Sequence, residues 1–250
     1  MFNFLTIKDL LLAKNQILEE IKTNHYILVN ISDTSNMRND FVNLNFIFGK
    51  ILHHTRSENS GIAVVAINKD PMLKDFKGAN NSEHFLHTDG MYGKIPKIMA
   101  LQCQNPAQNG GESCIVLGQN LFNYLSESIP SKIENLFETD FFRVARAGEE
   151  STKPLFSYSK SSKITISFRK NDGFAKVICK YPEIYGMILD YLENRNNQVT
   201  FTMKKGDILI ADNTAVLHGR TPFQNSKNNI RIMNRLWFEA EELDNGFKSK

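Results

Sequence analysis

One stretch near the C-terminus, residues 206–238, constrains this chain more than any other. An apolar run over 208–211 predicts a buried strand, and His218 follows it after a short segment. The chain then returns as a second strand that carries Arg231 and Arg235, which share a face because strand side chains repeat every two residues. A guanidinium that faces an interior needs an anionic partner, since an unpaired buried charge is costly. The stretch therefore predicts a metal beside an anion.

A second motif, His87-Thr88-Asp89, offers partners for His218. In an extended segment His87 and Asp89 share a face, which suits two ligands on one edge of a metal. Two histidines and one carboxylate are the ligands of non-haem Fe(II) oxygenases, with three positions left open. An isolated H-x-D is more often a surface turn. Here it is followed by a distant histidine and by an arginine thirteen residues beyond that histidine, which makes the pattern much more specific.

The full arrangement resembles the taurine dioxygenase-like (TauD/TfdA) family of Fe(II)- and 2-oxoglutarate-dependent oxygenases. The resemblance runs from about Tyr26 to Phe238, and its strongest pieces are FLHTDG (85–90), NGGES (109–113), GDILIADNTAVLHGRTPF (206–223) and RIMNRLWF (231–238). It implies a double-stranded β-helix, or jelly-roll, core with iron at its mouth. It also implies that His87, Asp89 and His218 bind that iron.

The same resemblance assigns cofactor-binding roles to three further residues. Arg231 would pair with the distal carboxylate of 2-oxoglutarate, for which a planar and permanently charged guanidinium is suited. The hydroxyl of Ser113 would help to hold that carboxylate, although a serine after two glycines could simply support a turn. Arg235 would reach the other end of the co-substrate or the substrate. Its alternative is an ion pair with an internal acid such as Glu239.

Other residues near these motifs are candidates for the rim of the site. Arg169, at the end of a strongly alternating strand, and His84, three residues before the first ligand, are candidate substrate contacts. The polar segment 68–85 is long and irregular, which is typical of a functional loop, and we interpret it as part of an active-site rim or lid. Asp212-Asn213 is expected to fix the turn at the strand end rather than to touch iron.

Together these features predict an oxidoreductase that uses Fe(II), 2-oxoglutarate and O2. The expected reaction is hydroxylation of a small polar, carboxylate-bearing metabolite, with decarboxylation of 2-oxoglutarate to succinate and CO2. Desaturation or cyclisation at the same iron site is the alternative, because all three reactions begin with the same hydrogen abstraction. Halogenation is disfavoured because the carboxylate of Asp89 is present. A non-catalytic jelly-roll binding protein would be favoured by loss of a ligand or of Arg231, and neither is missing.

Composition limits the class of protein. A chain of 250 residues suits a single domain over 1–250, and 41% hydrophobic with 23% charged residues is ordinary for a soluble globular protein. A net charge of +3 without a dense basic block gives no reason to expect nucleic acid, and no stretch approaches the roughly 20 apolar residues of a membrane span. Three cysteines without C-x-x-C spacing predict reduced thiols and a cytoplasmic location. A small-molecule substrate is the expected partner, and the sequence leaves a homo-oligomer open.

Hydrophobic periodicity predicts a mainly β fold with a few peripheral α-helices. Thr6–Asp9 resembles a helix-capping box, residues 36–49 form a helix that ends at Gly49, and residues 182–196 form another. Gly61–Ile67 is rich in β-forming residues and predicts a central strand. Many strands with peripheral helices fit a jelly-roll barrel, which closes two sheets around a cavity.

Overall fold

The computed structural model describes residues 1–68, 77–146, 148–172, 175–240 and 243. Within these ranges strands predominate and helices lie at the periphery, as the sequence predicts. The strands are β1 (Phe2–Phe4), β2 (Tyr26–Ile31), β3 (Ile51–Leu52), β4 (Ala63–Ala66), β5 (His84–His87), β6 (Ile98–Asn105), β7 (Asn109–Gly110), β8 (Ser113–Leu117), β9 (Phe142–Arg146), β10 (Glu149–Lys153), β11 (Phe156–Tyr158), β12 (Ile164–Ile166), β13 (Lys176–Cys179), β14 (Val199–Phe201), β15 (Asp207–Asp212), β16 (Val216–Arg220), β17 (Phe223–Gln224) and β18 (Ile232–Phe238). The α-helices are α1 (Ile7–Leu12), α2 (Lys14–Asn24), α3 (Met37–Val42), α4 (Asn45–Phe48), α5 (Gly118–Ser128) and α6 (Pro182–Glu193). Short 3-10 segments span Lys77–Ala79, Pro130–Phe137 and Arg195–Asn197.

Two sheets form the core. The larger has the strand order β1-β2-β15-β6-β18-β3, with β4 also paired to β18, and the smaller has the order β14-β8-β16-β5. Side chains from both sheets meet in one apolar cluster, which includes Met99 and Leu209 from the larger sheet and Ile115 and Val216 from the smaller. Two sheets packed on a shared interior are the jelly-roll architecture, so the predicted fold class is confirmed.

Strand β15 shows why the sequence gives this layered arrangement. Its side chains alternate between two apolar layers: Ile208 and Ile210 pack towards the N-terminal helices, and Leu209 and Ala211 pack between the sheets. A strand buried on both faces is expected to be an uninterrupted apolar run, which is what 208–211 shows. The strand ends at the turn that leads into β16, and β16 carries His218.

The N-terminal helices cover the outer face of the larger sheet. The capping box is present, with Thr6 accepting from the backbone of Asp9 and the Asp9 side chain accepting from the backbone of Thr6. The predicted helix over 36–49 is instead two short helices, α3 and α4, although Gly49 does end the second with a φ of 75°. Among the described residues, no helix is both long enough and apolar enough to cross a membrane.

The prediction that Gly61–Ile67 forms a central strand is wrong. Only Ala63–Ala66 are in a strand, and within the described ranges that strand pairs with β18 alone, opposite the edge where β18 pairs with β6. Its apolar composition has another cause: all four of its residues line a cavity beside β18. Part of the segment 68–85, which we interpret as a rim or lid, lies outside the described residues, at 69–76.

Candidate active site

The two histidines of the predicted triad meet across neighbouring strands. Strand β5 pairs antiparallel with β16 so that His87 lies directly opposite His218, and their ring centroids are 4.4 Å apart. Directly opposed residues of an antiparallel pair project to the same face, so both imidazoles enter the interior between the sheets. Asp89 follows two residues after His87, just beyond the end of β5.

The donor atoms of these three side chains converge on one point. Nε2 of His87 lies 3.5 Å from Oδ1 of Asp89, and Nε2 of His218 lies 3.7 Å from Oδ2 of the same carboxylate. One ligand atom from each residue lies within 4.8 Å of the other two, and all three residues are buried. In the described part of the chain this is the group of histidine, cysteine and acidic side chains that is arranged to hold a metal.

The protonation states suit a metal. Nδ1 of His87 faces the backbone oxygen of Phe85 at 2.8 Å, which places the ring proton there and leaves the Nε2 lone pair free. Burial lowers the pKa of His218 to about 3, so this imidazole is neutral. Burial alone would raise the pKa of Asp89, but the positive charge of Arg235 beside it holds that pKa well below its usual range. Neutral imidazoles and an ionised carboxylate are the forms that bind metals.

Two side chains of β18 fix the Asp89 carboxylate. Nη1 of Arg235 donates to Oδ1 and Oδ2 of Asp89 at 3.0 and 3.2 Å, and Nε1 of Trp237 donates to Oδ2 at 2.8 Å. Arg235, predicted to bind co-substrate or substrate, therefore pairs with a ligand of the candidate metal. Its alternative partner, Glu239, instead pairs with Lys94 and Lys50.

Asn213 fixes the backbone of Asp89. Its Oδ1 accepts from the Asp89 backbone N–H at 2.9 Å, and its Nδ2 donates to the Asp89 carbonyl at 3.1 Å. Asp212 next to it accepts from the backbone and the hydroxyl of Thr214, which shapes the turn between β15 and β16. As predicted, this pair of residues forms a turn and is not part of the triad.

A cavity of about 300 Å³ extends from the triad to Arg231. Arg231, Met233 and Arg235 all line it, as the two-residue repeat predicts for a shared face. Arg231 is buried, and burial lowers the pKa of its guanidinium to about 10. Among the described residues, no carboxylate pairs with Arg231. This end of the cavity therefore carries a buried positive charge that no carboxylate of the described residues pairs with.

Ser113 lies close to this cationic end. It begins β8, is buried, and pairs in register with Arg220 on β16, so the two side chains project to the same face. Ser113 is not one of the described residues that line the cavity. The structure thus places Ser113 beside the cavity wall and leaves its hydroxyl role a prediction.

A second cavity, of about 250 Å³, opens on the other side of the triad and is rich in cationic side chains. The three predicted substrate contacts, Arg169, Arg235 and His84, all line it. His84 lines both cavities, and its ring stacks on that of His87 at 4.0 Å. Arg169 pairs with Asp172 at 3.3 Å, while its Nε is buried without a hydrogen-bond partner in the described residues. The residues of this cavity that carry formal charge are Arg56, Asp89, Lys94, Arg146, Glu149, Arg169 and Arg235.

Several residues that shape the site are not indicated by the sequence motifs. Trp237 and Asn213 hold Asp89, and Arg220 lines the first cavity together with Arg231. Tyr92 lies in the second cavity, and the guanidinium of Arg146 is 4.1 Å from the centroid of its ring. The sequence does indicate that Arg220 lies near the site, because it stands two residues after His218 on a strand and therefore on the same face. The contacts of Asn213 and Trp237 join residues more than a hundred positions apart, which no local pattern reveals.

A jelly-roll with two histidines and one carboxylate at its mouth defines the class of non-haem Fe(II) oxygenases. The family model for the taurine catabolism dioxygenase TauD, TfdA family matches residues 12–237, and the chain belongs to that family. This confirms the resemblance seen in the sequence and the predicted class of oxidoreductase.

Individual relatives are more distant. The chain is 26% identical over 167 residues to FR-33289 synthase of Streptomyces rubellomurinus, covering 60% of this chain and 49% of that protein. It is 30% identical over 166 residues to 3-((Z)-2-isocyanoethenyl)-1H-indole synthase of Fischerella ambigua, covering 58% of this chain and 60% of that protein. The alignments thus span about half of one curated relative and three fifths of the other.

Among solved structures, an asparagine oxygenase in complex with Fe(II), 2S,3S-3-hydroxyasparagine and succinate has a similar fold. Its TM-score is 0.73 at 15% identity, covering 92% of this chain and 78% of that one. Identity this low supports the fold and not the substrate.

We expect Trp237→Phe to weaken metal binding while the protein stays folded. The substitution removes the N–H that Asp89 accepts but keeps an aromatic ring against His54, whose centroid lies 4.9 Å away. Loss of a group that orients a metal ligand typically costs about ten- to a hundredfold in metal affinity. Anaerobic titration with Fe(II), followed by calorimetry, measures the change. Tyr158→Phe, at an exposed ring, is the matched control, and an unchanged affinity in Trp237→Phe would contradict the role given to this indole.

Proposed function

We propose that this protein is an Fe(II)- and 2-oxoglutarate-dependent dioxygenase that hydroxylates a small polar, carboxylate-bearing metabolite. One observation carries the proposal: the buried triad of His87, Asp89 and His218 lies where two cavities meet. Arg231, with no carboxylate partner in the described residues, lines one of these cavities. A dicarboxylate that reaches from the metal to Arg231 would supply the missing anion.

The chemistry that Fe(II) supplies when bound is activation of O2, coupled to decarboxylation of 2-oxoglutarate to succinate and CO2. The three ligands leave open positions, which a keto acid and O2 both require. Arg235 and Trp237 keep the Asp89 carboxylate ionised and aimed at the metal. Arg231 would hold the distal carboxylate of the co-substrate, to which a guanidinium can donate charge-assisted hydrogen bonds. The cavity also has an apolar wall, which includes Val65, Leu101 and Met233. This wall would exclude water from the methylene groups of the co-substrate.

The second cavity supports an anionic substrate. Its lining carries five cationic groups and two carboxylates, Asp89 and Glu149, and Asp89 is already paired with Arg235. Glu149 pairs with Arg146 at 3.2 Å, and two acids outside the lining, Asp172 and Glu239, pair with Arg169 and Lys94, so five cations face four acids and the cleft keeps a small excess of positive charge. A cleft with an excess of one charge concentrates ligands of the opposite sign. The bound product of the asparagine oxygenase, a hydroxylated amino acid, also carries a carboxylate.

Desaturation is the second candidate, and one observation favours it. The relative at 30% identity is named for a product with an ethenyl group, which contains a carbon–carbon double bond. Hydroxylation and desaturation begin with the same hydrogen abstraction and differ in whether oxygen is then transferred. Cyclisation at the same site has no comparable support. A non-catalytic binding role is disfavoured because all three ligands and Arg231 are in place.

One experiment tests the function and separates these candidates. The protein is incubated with Fe(II), 2-oxoglutarate and ¹⁸O-labelled O2 against a panel of amino acids and other small carboxylates. Succinate and substrate-derived products are then measured by mass spectrometry. Hydroxylation adds one labelled oxygen atom, whereas desaturation removes two hydrogen atoms. His218→Ala is the control for metal dependence. Succinate formation that is equal in His218→Ala and the native protein would refute the proposed site.

A further inference from the structure

Arg220 is a buried cation whose position suggests a role beyond lining the cavity. It is the last residue of β16, two positions after His218. Its guanidinium donates to three backbone carbonyls, those of Thr221 at 3.1 Å, Asn80 at 3.3 Å and Ser82 at 2.8 Å. Two of these acceptors belong to the segment that leads into β5. One side chain thus ties the strand of a metal ligand to the segment before the other histidine.

That segment, residues 77–83, borders both cavities. Gly78 lines both the cavity of about 250 Å³, which we call the substrate cavity, and the cavity of about 300 Å³ that contains Arg231, which we call the co-substrate cavity. Ala79 lines the co-substrate cavity. In addition to the hydrogen bonds from Arg220, the backbone N–H of Phe223 donates to the Asn81 carbonyl at 3.1 Å. The position of 77–83 therefore sets part of the wall against which a substrate packs. Among the described residues, the segment is also held by the backbone N–H of Asn68, which donates to the Ala79 carbonyl at 2.9 Å, and Arg220 supplies two further hydrogen bonds to it.

Arg220 also lies close to the cation that we assign to the co-substrate. The guanidinium carbons of Arg220 and Arg231 lie 4.6 and 5.2 Å from the centroid of the same ring, that of Phe223, and both residues line the same cavity. Burial, with the nearby positive charge of Arg231, lowers the pKa of Arg220 to about 9, and the carboxylate of Glu83 offsets part of this effect. Two buried like charges repel, and an anion bound beside them converts that repulsion into attraction.

We propose that Arg220 is a positioning residue that couples the distal carboxylate of 2-oxoglutarate to the segment 77–83. The inference rests on the proposed function for the identity of the anion. With the carboxylate at Arg231, the charge near Arg220 is compensated, and its guanidinium stays on the carbonyls of Asn80 and Ser82. Without the carboxylate, the positive charge of Arg231 opposes the hydrogen bonds from Arg220 to the segment, which still form but open more often. The distal carboxylate thereby stabilises the wall of the substrate cavity.

Hydrogen–deuterium exchange of the segment tests this coupling. The Co(II)-loaded protein is compared alone, with 2-oxoglutarate, and with 2-oxovalerate, which has the same keto-acid end but a methyl in place of the distal carboxylate. We expect 2-oxoglutarate to slow exchange in the peptide over 77–87 about tenfold, the equivalent of one stabilised hydrogen bond. We expect 2-oxovalerate, even at saturation, to leave exchange there unchanged. Calorimetry in the same samples measures binding of each keto acid.

Two variants locate the effect at Arg220. Arg220→Lys keeps the charge but loses the planar fork, and Arg220→Met removes the charge. Both should still bind 2-oxoglutarate, with up to about tenfold weaker affinity from the lost contacts, and both should lose the slowing of exchange. Arg143→Lys, on an exposed outer strand, is the matched control and should behave like the native protein. If neither variant folds, the comparison of the two keto acids on the native protein decides alone.

The possible outcomes are distinguishable. Slowing that needs both the distal carboxylate and Arg220 supports the coupling. Normal binding of 2-oxoglutarate without slowed exchange in the native protein overturns the coupling and leaves the proposed function intact. Equal slowing with 2-oxovalerate, or in Arg220→Met, likewise overturns it. A native protein that does not bind 2-oxoglutarate refutes the proposed function and this coupling together.

Discussion

Arg231→Ala is expected to weaken 2-oxoglutarate binding by about two orders of magnitude or more, because truncating one partner of a buried charge pair costs roughly 2–5 kcal/mol. Metal binding should be retained, since Arg231 is separate from the three converging ligands. Ser113→Ala, which removes one neutral donor, should cost about tenfold. Anaerobic calorimetry of Co(II)-loaded protein measures both. A larger defect in Ser113→Ala than in Arg231→Ala would reverse the assignment of the main anchor.

The thermal stability of the protein gives an independent test of the role of Arg231. Burial lowers the pKa of Arg231, which means that the folded protein disfavours the charged form relative to the unfolded chain. At neutral pH the guanidinium is charged in both states, so without an anion it makes folding less favourable. Arg231→Met, which keeps an apolar stem, should therefore be at least as resistant to thermal unfolding as the unliganded native protein. Addition of 2-oxoglutarate should stabilise the native protein and have little effect on the variant.

The sequence could place two of the three candidate ligands, His87 and Asp89, together because their spacing is local. His87 and Asp89 stand two apart at a strand end, and a strand fixes which side chains share a face. The run 208–211 likewise predicts β15, since a strand buried on both sides has no polar alternation to obscure it. His218 needed more than local pattern, namely its spacing to Arg231. The fold class followed from the same motifs together with many short strands.

The contact between Arg235 and Asp89 could not be predicted from the strand pattern. The two-residue repeat places Arg231 and Arg235 on one face, and both do line one cavity. It does not say how far each lies from the metal, because that depends on how β18 sits against the turn after β5. Asp89 and Arg235 are 146 positions apart, and their contact is a consequence of sheet order. The hydrogen bonds between Asn213 and the backbone of Asp89, and the position of β4 at the cavity wall rather than at the centre of the sheet, were missed for the same reason.

Asp89→Ala is expected to lower metal affinity more than about a hundredfold, because loss of a ligand exceeds the ten- to hundredfold cost of losing a group that only orients one. In this variant, two hydrogen-bond donors lose the carboxylate that accepts from them. Nη1 of Arg235 and Nε1 of Trp237, which both donate to the carboxylate, then face the space that it vacates. The Arg235 side chain is only 12% exposed, so its charge becomes a buried cation without its anion.

A small carboxylate should therefore enter that space and restore part of the site. We expect formate or acetate at millimolar concentration to recover metal binding in Asp89→Ala by about tenfold or more, since the two N–H donors that oriented the native carboxylate remain in place. His218→Ala provides the contrast: it keeps Asp89 paired, so formate should not help, whereas imidazole should. Titration of each variant with Fe(II) under anaerobic conditions, with and without each additive, gives the comparison. Recovery of both variants by formate would show a non-specific effect of the anion. Recovery of neither by its matched additive would mean that Arg235 and Trp237 do not hold a carboxylate for the metal, and that their contacts with Asp89 serve the fold alone.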